Sequence, residues 1–470
     1  MVKRYEVLTQ NEIERIHETS LRILEEVGVV MLRDESREIL AKHGAKVEGQ
    51  TVYFPRALVE SAIKSAPSTF TLHGRTGKKV VMNTEESRFL GPNCPSFVHD
   101  IDRGRRISTF EDYINLTRLI YMLDDVDMHS QIAAEPCDLP ENVRHLEMAY
   151  EVLKNSDKPF MGSSMGYEFA KQNIEMAAIA HGGMDAIKDK PVILSIPCSL
   201  TPLAYDSNML GALHAYAEFG QPQVINSLCI AGATSPCTLA GTVALQTAEI
   251  LAGLTLAQVI NPGTPCIYSC GSGNMDMRTT SLCIGSPEAT LFAIAASQMA
   301  KFYQIPCRMG GGLTSSKCCD AQAGYESMMN LMASQMAGGN FVLHAVGILE
   351  DFNCVSYEKL ILDAEMVGMV KRINRGIEVD DDTLAFDVIK EVGSQGEFLT
   401  SEHTFDYFRS EFYMPKISDR SSPEEWNAKG SLTAEQRANA KWKQMLADFV
   451  APEMPADVDA DLRKYVESKQ

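Results

Sequence analysis

The sequence predicts an α/β fold: a (β/α)8 TIM-type barrel with an N-terminal extension of helices and antiparallel strands and a C-terminal wrapping segment. Two observations support the barrel. From about residue 128, short apolar or β-branched runs recur along the chain, and a helical stretch follows each of them. Strands that alternate with helices indicate parallel strands joined by crossover helices. Seven such runs, with Gly396–Leu399 as an eighth candidate, reach the number that closes a barrel.

The predicted strands are short and apolar, and the predicted helices between them are longer and show helical periodicity. The first seven strands are His129–Ala134, Pro159–Ser163, Val192–Pro197, Gln223–Cys229, Pro265–Cys270, Pro306–Met309 and Phe341–Ile348. The helices are Pro140–Asn155, Tyr167–His181, Asn208–Phe219, Leu239–Val259, Ser286–Tyr303 and Tyr325–Ala337, with Asp382–Val392 before the eighth strand.

Two regions flank the predicted barrel, which spans residues 128–400. Residues 1–127 begin with two amphipathic helices, 9–28 and Asp34–His43. Alternating segments then predict a small antiparallel meander, namely Thr51–Phe54, Thr69–Leu72, Val80–Met82 and Arg88–Leu90. Residues 401–470 are polar with interspersed aromatic residues, so we expect this segment to wrap the barrel or to form a subunit interface in a homo-oligomer.

Composition excludes several classes of protein. The 470 residues carry a formal net charge of −19 and no basic cluster that could follow a phosphate backbone, so nucleic acid is not an expected partner. The start of the chain lacks the apolar core of a signal peptide, and no uninterrupted apolar run is long enough to cross a membrane. The 12 cysteines and 24 methionines indicate the reducing cytoplasm of a cell with little oxygen.

Common nucleotide and metal motifs are missing. An open doubly wound sheet would carry G-x-G-x-x-G after its first strand, and Gly310-Gly-Gly lacks that spacing. The stretch Gly310–Lys317 also lacks the spacing of a phosphate-binding P-loop. The cysteines form no C-x-x-C pair, and the spacing of the cysteines and His344 does not match that of zinc ligands.

The predicted barrel mouth is poor in acid–base groups. In such barrels the reactive side chains gather where the strands end at their carboxyl ends. Here those ends carry mostly small, weakly polar residues, together with His344. We therefore keep His344 as the single catalytic candidate, although a histidine on an apolar strand is more often a packed core residue.

The other side chains near these strand ends could bind a substrate that carries both a cationic group and a carboxylate. Aromatic rings around a cavity attract a quaternary ammonium by cation–π interaction. Arg308 could pair with a substrate carboxylate in bidentate fashion, or form an internal salt bridge. The candidate rings are Phe97, Tyr205, Tyr268, Phe352 and Tyr357. Packing is the ordinary role of any one such ring.

Several ordered motifs resemble the trimethylamine methyltransferase family of corrinoid-dependent enzymes. They include Leu72-His-Gly-Arg75, Gly91-Pro-Asn-Cys-Pro95, Cys270-Gly-Ser-Gly-Asn-Met-Asp-Met-Arg278, Gly285-Ser-Pro-Glu288, Gly310–Glu326, Ser356-Tyr-Glu-Lys-Leu-Ile-Leu-Asp363 and Arg375-Gly-Ile-Glu-Val-Asp380. The resemblance implies a (β/α)8 barrel that moves a methyl group to Co(I) of a separate corrinoid-binding protein, with no cofactor bound tightly by the chain itself.

The residue types in this chain indicate which branch of the family it resembles. Founding members of the family carry pyrrolysine near the barrel centre, whereas every residue here is one of the standard twenty. The chain therefore resembles the non-pyrrolysine branch, whose members demethylate quaternary amines such as glycine betaine, proline betaine or carnitine. We expect Gly310, Gly311, Gly312 and Thr314 to let the flat corrinoid approach the backbone, since glycines remove side chains from its path.

Two other functions remain open from the sequence. The same barrel could bind quaternary amines without catalysis, or it could be a zinc-dependent amine or thiol methyltransferase.

Overall fold

Eight parallel strands close into a barrel in this computed structural model, which describes residues 4–469. Seven of them are Arg88–Phe89, Phe160–Met161, Ile193–Leu194, Gln223–Ser227, Cys266–Cys270, Cys307–Gly310 and Phe341–Leu343. The second position in the ring is a short extended piece whose Met128 pairs with Leu90 and whose His129 pairs with Phe160. Every pairing around the ring is parallel, and the eighth strand pairs with the first through Phe341–Arg88 and Val342–Phe89.

A helix follows each barrel strand, which confirms the predicted (β/α)8 fold. The barrel helices are Phe110–Met122, Glu141–Asn155, Tyr167–Ala180, Ser207–Glu218, Leu239–Ile260, Pro287–Phe302, Ala321–Ala337 and Tyr357–Arg375, and a short helix Met184–Ile187 precedes the fourth strand. Their order along the chain matches the order of the strands around the ring, as right-handed crossovers require.

The predicted eighth strand is wrong. Gly396–Leu399 forms no strand, and the missing position is taken by Arg88–Phe89, which the sequence assigned to the meander. The alternation of apolar residues looks the same in a parallel and an antiparallel strand, so the partner of this segment could not be identified from the pattern. Because this strand precedes residue 128, the barrel begins earlier than predicted; the boundary at residue 400 stays a prediction.

The N-terminal elements form a layer against one barrel helix. They are the helices Gln10–Arg22, Asp34–Lys42 and Arg56–Ser65, a π-turn at Ile23–Val27, and the strands Val29–Met31, Lys46–Glu48 and Thr51–Tyr53. Thr9 and Glu12 form a capping box at the start of the first helix, which satisfies amides that a helix leaves free. The strand Val29–Met31 also pairs in parallel with Ala204–Tyr205 and so attaches this layer to the barrel.

By length and composition, helix Leu239–Ile260 could cross a membrane. However, 83% of its most apolar stretch is buried in the protein. The helices Gln10–Arg22 and Arg56–Ser65 pack on its outer side, and the strand Gln223–Ser227 packs on its inner side. An all-round apolar helix in such a position is a core helix.

A hairpin seals the amino-terminal end of the barrel. Its strands Phe70–His73 and Lys79–Met82 place Phe70, Leu72, Val80 and Met82 in one apolar cluster with the side chains that fill the barrel interior. The interior members of that cluster are Leu90, Met128, Met161, Leu194, Ile196, Val224, Ile267, Phe341 and Leu343. The barrel is therefore closed below and can open only at its carboxyl end.

The loops at the carboxyl end of the barrel contain short strands. Phe97–Asp100, Gly104–Ile107, Ile348–Leu349 and Cys354–Ser356 make one small sheet, and Ile230–Ala231, Gly273–Asp276 and Ser281–Cys283 make another. Each of these strands lies in a loop between a barrel strand and the following helix, so both sheets stand beside the mouth.

The part of the chain after the last barrel helix runs along the outside of the barrel. Its helices are Asp381–Leu384, Phe386–Val392, Glu402–Glu411, Pro423–Ala428, Ala434–Ala447 and Ala456–Lys469. Ala434–Ala447 packs on the last barrel helix and on Phe110–Met122, and Ala456–Lys469 packs on the second and third barrel helices.

A single carboxylate holds part of this segment in place. Glu365, on the last barrel helix, accepts hydrogen bonds from the backbone amides of Lys416 and Ser418, each at 2.7 Å. It also accepts from the amide of Ile417 and the hydroxyl of Ser418. Four donors on one buried carboxylate fix the chain at the point where it returns to the barrel.

We predict that Glu365→Ala lowers the free energy of unfolding by about 3 kcal/mol, because buried amides lose their acceptor. Hydrogen exchange should become faster at the amides of residues 416–418. The matched variant Glu378→Ala, at an exposed carboxylate, should change neither quantity. Unchanged exchange at residues 416–418 in Glu365→Ala would contradict the assignment.

Candidate active site

A polar layer lies above the apolar filling of the barrel. Ser269 donates a hydrogen bond from Oγ to Oδ1 of Asn226 at 2.7 Å, and Asn226 Nδ2 donates to Cys198 Sγ at 3.2 Å. The guanidinium of Arg308 belongs to the same polar layer, and its Nη1 donates a hydrogen bond to the carbonyl oxygen of Cys270 at 2.5 Å. These side chains come from adjacent strands. They point into the barrel, because the residues one position away lie in the outer apolar cluster, while Val224 and Ile267, two positions before Asn226 and Ser269, fill the barrel interior.

Arg308 is a buried cation with no acidic partner within residues 4–469. It is 3% exposed, and its Nε has no hydrogen-bond partner among the described residues. Burial lowers the pKa of Arg308, and the titratable groups that act on it are the thiols of Cys270, Cys198, Cys307 and Cys94. An unpaired buried charge costs several kcal/mol, so this guanidinium is poised to pair with an incoming carboxylate.

Arg308 lines a small cavity at the barrel mouth. Its volume is about 20 Å³, which is room for roughly one water. Gly310, Leu313 and Phe352 line the same cavity. The structure thus brings the predicted Arg308 and Phe352 together at one site.

His344 lies beside Phe352, with ring centroids 4.8 Å apart. The backbone N–H of Asn93 donates to His344 Nδ1 at 3.1 Å. Burial holds the pKa of His344 well below its usual value, and the positive charge of Arg308 acts in the same direction. The ring is therefore neutral, and with Nδ1 accepting, its proton is on Nε2. His344 can donate one hydrogen bond from Nε2 but is a poor base; its predicted catalytic role stays a prediction.

The loop that carries Phe352 has unusual backbone geometry. Glu350, Asp351 and Phe352 have φ of 54°, 51° and 79°, three successive residues in the left-handed region. Each such residue costs roughly 1–2 kcal/mol. The amide of Glu350 donates to the carbonyl of Ser316, and that of Asp351 donates to the carbonyl of Thr314. The loop is therefore held over the cavity by the neighbouring Thr314–Ser316 turn.

The glycines at the end of the seventh strand are packed against other parts of this chain, and their role in the approach of the corrinoid stays a prediction. Gly310, Gly311, Gly312 and Thr314 are all buried. A Cβ on Gly311 would lie 2.8 Å from the amide nitrogen of Ala345, and one on Gly312 would lie 2.7 Å from the carbonyl oxygen of Ala345. Gly311 and Gly312 are needed because the loop after the eighth strand passes directly against them, whereas a Cβ on Gly310 would meet Leu313.

A buried ion pair joins the two loops. Lys359 Nζ lies 2.6 Å from Asp363 Oδ2, and it also donates to the carbonyl of Gly312 at 3.0 Å and to Ser327 Oγ at 2.8 Å. Asp363 Oδ2 accepts from the amide of Gly347 at 2.8 Å. The pair thus fixes two backbone segments near His344: the glycine turn at Gly312, and the loop that follows His344 at Gly347.

Four predicted ammonium-binding rings pack elsewhere. Tyr205 donates to the carbonyl of Glu249, Tyr268 hydrogen-bonds Thr247, and Tyr357 donates to Asp112, all in fully buried positions between strands and helices. Phe97 lies under Arg105, whose guanidinium is 3.6 Å from the ring centroid. None of these rings lines the cavity, so we do not assign them to it.

Sequence reasoning missed Asn93, Asn226 and Ser269. Asn226 and Ser269 are polar residues at inward positions of apolar strands, and that alternation is a signal the sequence carries. Asn93 reaches the site only because the loop after the first strand folds over His344.

Exposed apolar residues stand on three of the loops at the mouth. Met165, Leu200 and Met277 follow the third, fourth and sixth strands and are 52%, 56% and 70% exposed. Within residues 4–469, no group of three His, Cys, Asp or Glu side chains is arranged to hold a metal ion.

Comparison with known proteins identifies a family and two similar relatives. The family model described as trimethylamine methyltransferase (MTTB) matches residues 1–470. A glycine betaine methyltransferase of Desulfitobacterium hafniense (strain Y51) is 48% identical over 99% of this chain and 97% of its own length. A proline betaine:corrinoid methyltransferase of Eubacterium limosum is 33% identical over 98% of this chain and 96% of its own length.

A solved structure supports the fold alone. The monomethylamine methyltransferase MtmB of Methanosarcina barkeri superposes with a TM-score of 0.55 at 12% identity, covering 96% of this chain and 90% of MtmB.

We predict that Lys359→Met lowers the free energy of unfolding by about 3–5 kcal/mol, because it leaves the Asp363 carboxylate buried without its partner. The double variant Lys359→Met/Asp363→Leu should recover most of that loss, since replacing both charges by apolar groups removes the desolvation cost. Denaturant titration measures both.

The exposed pair Arg22–Glu26 has the same i, i+4 spacing and serves as the control. Arg22→Met should leave stability unchanged within error. If the double variant of Lys359 and Asp363 is no more stable than the single one, the buried pair does not act as described.

Proposed function

This chain belongs to the trimethylamine methyltransferase family, and we propose that it moves a methyl group from a quaternary amine with a carboxylate to Co(I) of a corrinoid-binding protein. Glycine betaine is the proposed first substrate, because the relative that acts on it is far more similar to this chain than the proline betaine enzyme is. The corrinoid belongs to the separate protein, and the proposed location is the cytoplasm.

The unpaired Arg308 is the observation that carries the proposal. A betaine carboxylate would supply the anion that Arg308 lacks inside the protein, and its two oxygens match the fork of a guanidinium. Trimethylamine has no carboxylate to offer. The choice of a betaine therefore follows from the charge of the site as well as from the relatives.

The cationic head of the substrate would lie away from Arg308, because like charges repel in a site that excludes water. Phe352 offers a ring face on the same cavity, which is worth roughly 0.5–2 kcal/mol to a quaternary ammonium. The neutral ring of His344 beside it adds no repelling charge. These two rings replace the wider aromatic set expected from the sequence.

The chemistry asks little of the side chains. The C–N bond breaks with its electron pair on nitrogen, so the leaving dimethylated amine is neutral and needs no proton. The corrinoid, when its protein presents it, supplies the nucleophile for the methyl carbon. The chain itself contributes positioning: Arg308 holds the carboxylate, the rings hold the ammonium, and the closed barrel excludes water.

Substrate entry requires the loop Glu350–Asn353 to move. A cavity of about 20 Å³ is smaller than any betaine, and Phe352 is the lining residue in the left-handed turn. The strain in that turn lowers the cost of displacing it.

The corrinoid protein would dock at the carboxyl end of the barrel. The amino end is sealed by the hairpin, so only the mouth gives access to the cavity. The exposed side chains Met165, Leu200 and Met277 stand on three loops around that mouth and offer an apolar contact surface.

The function is tested by mixing the purified protein with cob(I)alamin, or with its corrinoid protein, and one amine at a time. We expect methylcobalamin and dimethylglycine from glycine betaine and no product from trimethylamine. Calorimetry run alongside measures binding. Betaine binding with no methyl transfer in any mixture would instead support a non-catalytic binding protein.

We predict that Arg308→Met lowers kcat/KM for glycine betaine about 100-fold or more, because a buried charge-assisted contact is lost. Methyl transfer from choline, which has a hydroxyl in place of the carboxylate, should change only a few-fold. Steady-state rates with both amines measure the difference.

Arg278→Met is the matched control, since Arg278 lies in the loop after the sixth strand, next to the strand that carries Arg308, and its side chain is 89% exposed. It should leave both rates unchanged. An equal loss with choline and glycine betaine in Arg308→Met would refute the carboxylate contact.

A further inference from the structure

The register of the barrel strands puts four polar side chains in one row around the barrel. Cys198 pairs with Asn226, and Asn226 pairs with Ser269 on the next strand. Ser269 in turn pairs with Arg308, and every one of these pairings is parallel. Residues paired in this way point to the same side of a sheet. The row therefore faces the barrel interior at one level, with the guanidinium at one end and a thiol at the other.

The row becomes more open from Arg308 towards Cys198. Arg308, Asn226 and Ser269 are 3%, 4% and 0% exposed, whereas Cys198 is half-buried. Asn226 holds this thiol in place by donating from Nδ2 to its Sγ. The free space at the level of the guanidinium therefore lies on the Cys198 side of the row.

A second thiol comes from the loop after the first strand. Cys94 accepts a hydrogen bond on Sγ from Asn93 Nδ2 at 3.0 Å, and its amide donates to the carbonyl of Ile132 at 2.9 Å. The same Asn93 donates its amide to His344, so Cys94 lies next to that ring. Cys94 has a φ of 69°, a left-handed conformation that is strained for residues other than glycine. The chain thus places a thiol beside His344 where the backbone favours a glycine.

Cys94 is accessible to a small molecule although it lies inside the protein. The residue is exposed, yet burial raises the pKa of its thiol to about 12, and both Cys198 and Arg308 lie close enough to act on it. A side chain with free surface but without bulk water around it lines an enclosed space. Burial raises the pKa of Cys198 as well. Both thiols are therefore neutral at pH 7 and leave the charge of Arg308 unpaired.

We infer that Cys94 and Cys198 form the wall of the substrate chamber beside Arg308 and set the size of the betaine that the barrel accepts. The inference deepens the proposed function and rests on it. Arg308 points to a carboxylate at this level, because its Nε has no partner among the described residues. The two thiols then face the methyl groups of the ammonium. Sulfur suits that contact, since it is polarisable and only weakly polar.

Size is the property that these side chains control. Glycine betaine and proline betaine share the carboxylate and the quaternary nitrogen, and proline betaine needs more room for the ring that joins them. Truncating a cysteine to alanine frees about the space of one methylene group. A pocket distinguishes substrates that differ by one methylene by roughly 10–200-fold.

The test is the ratio of kcat/KM for proline betaine to kcat/KM for glycine betaine in each variant. We expect this ratio to rise about 10-fold or more in Cys198→Ala and in Cys94→Gly, and the glycine also suits the left-handed backbone. Cys198→Met fills the chamber and should lower kcat/KM for glycine betaine about 100-fold. Both substrates are measured on one preparation, so a partly unfolded variant does not change the ratio. The control Cys237→Ala, at an exposed thiol in the loop after the fifth strand, should keep the wild-type ratio.

Labelling of the wild-type protein with methylmercury chloride, a small thiol reagent, gives a second readout that needs no variant. Glycine betaine should slow the reaction of Cys94 and Cys198 and leave that of Cys237 unchanged, as measured by peptide mass spectrometry.

Three results would overturn the inference and leave the proposed function standing. They are a wild-type ratio in both enlarging variants, a Cys94 that does not react in the free protein, and labelling that betaine does not slow although calorimetry shows it bound. If glycine betaine neither binds nor reacts, the inference and the proposed function both fall.

Discussion

The parallel pairing of the first and eighth strands is the constraint on which the site depends. It joins Arg88–Phe89 to Phe341–Val342 and turns an open row of strands into a closed barrel. Closure removes the two free edges of the sheet and, together with the hairpin below, shuts water out of the interior. Only in such an enclosure does a single guanidinium acquire a large electrostatic effect.

Arg308 shows how the enclosure is used. In water the charge would be screened, and an anion would gain little from it. Inside the barrel the charge is costly, and the described part of the chain offers it one carbonyl and several thiols but no carboxylate. A carboxylate that binds Arg308 offsets the free-energy cost of burying its charge. The surrounding machinery is rigid: the Lys359–Asp363 pair fixes the glycine turn and the loop after His344 by direct hydrogen bonds.

The sequence was a good guide to the architecture and a partial guide to the site. Periodicity identified seven of the barrel strands because each is a short apolar run followed by a helix. Arg308, His344 and Phe352 were identified because they lie near strand ends, and the structure brings them together. Tyr205, Tyr268, Tyr357 and Phe97 lie near strand ends too, but their rings point toward helices or small sheets.

The sequence by itself determined the class of barrel, the family and the absence of pyrrolysine, because local periodicity and ordered motifs are written directly in the order of residues. Only the tertiary structure decided which strand closes the ring, which rings face the cavity, and what the glycines at 310–312 accommodate. Those outcomes depend on the side of a strand and on neighbours that are distant in the sequence: Gly312 is a glycine because Ala345 and Asp363 occupy the space of its side chain. No local pattern in the chain encodes that contact.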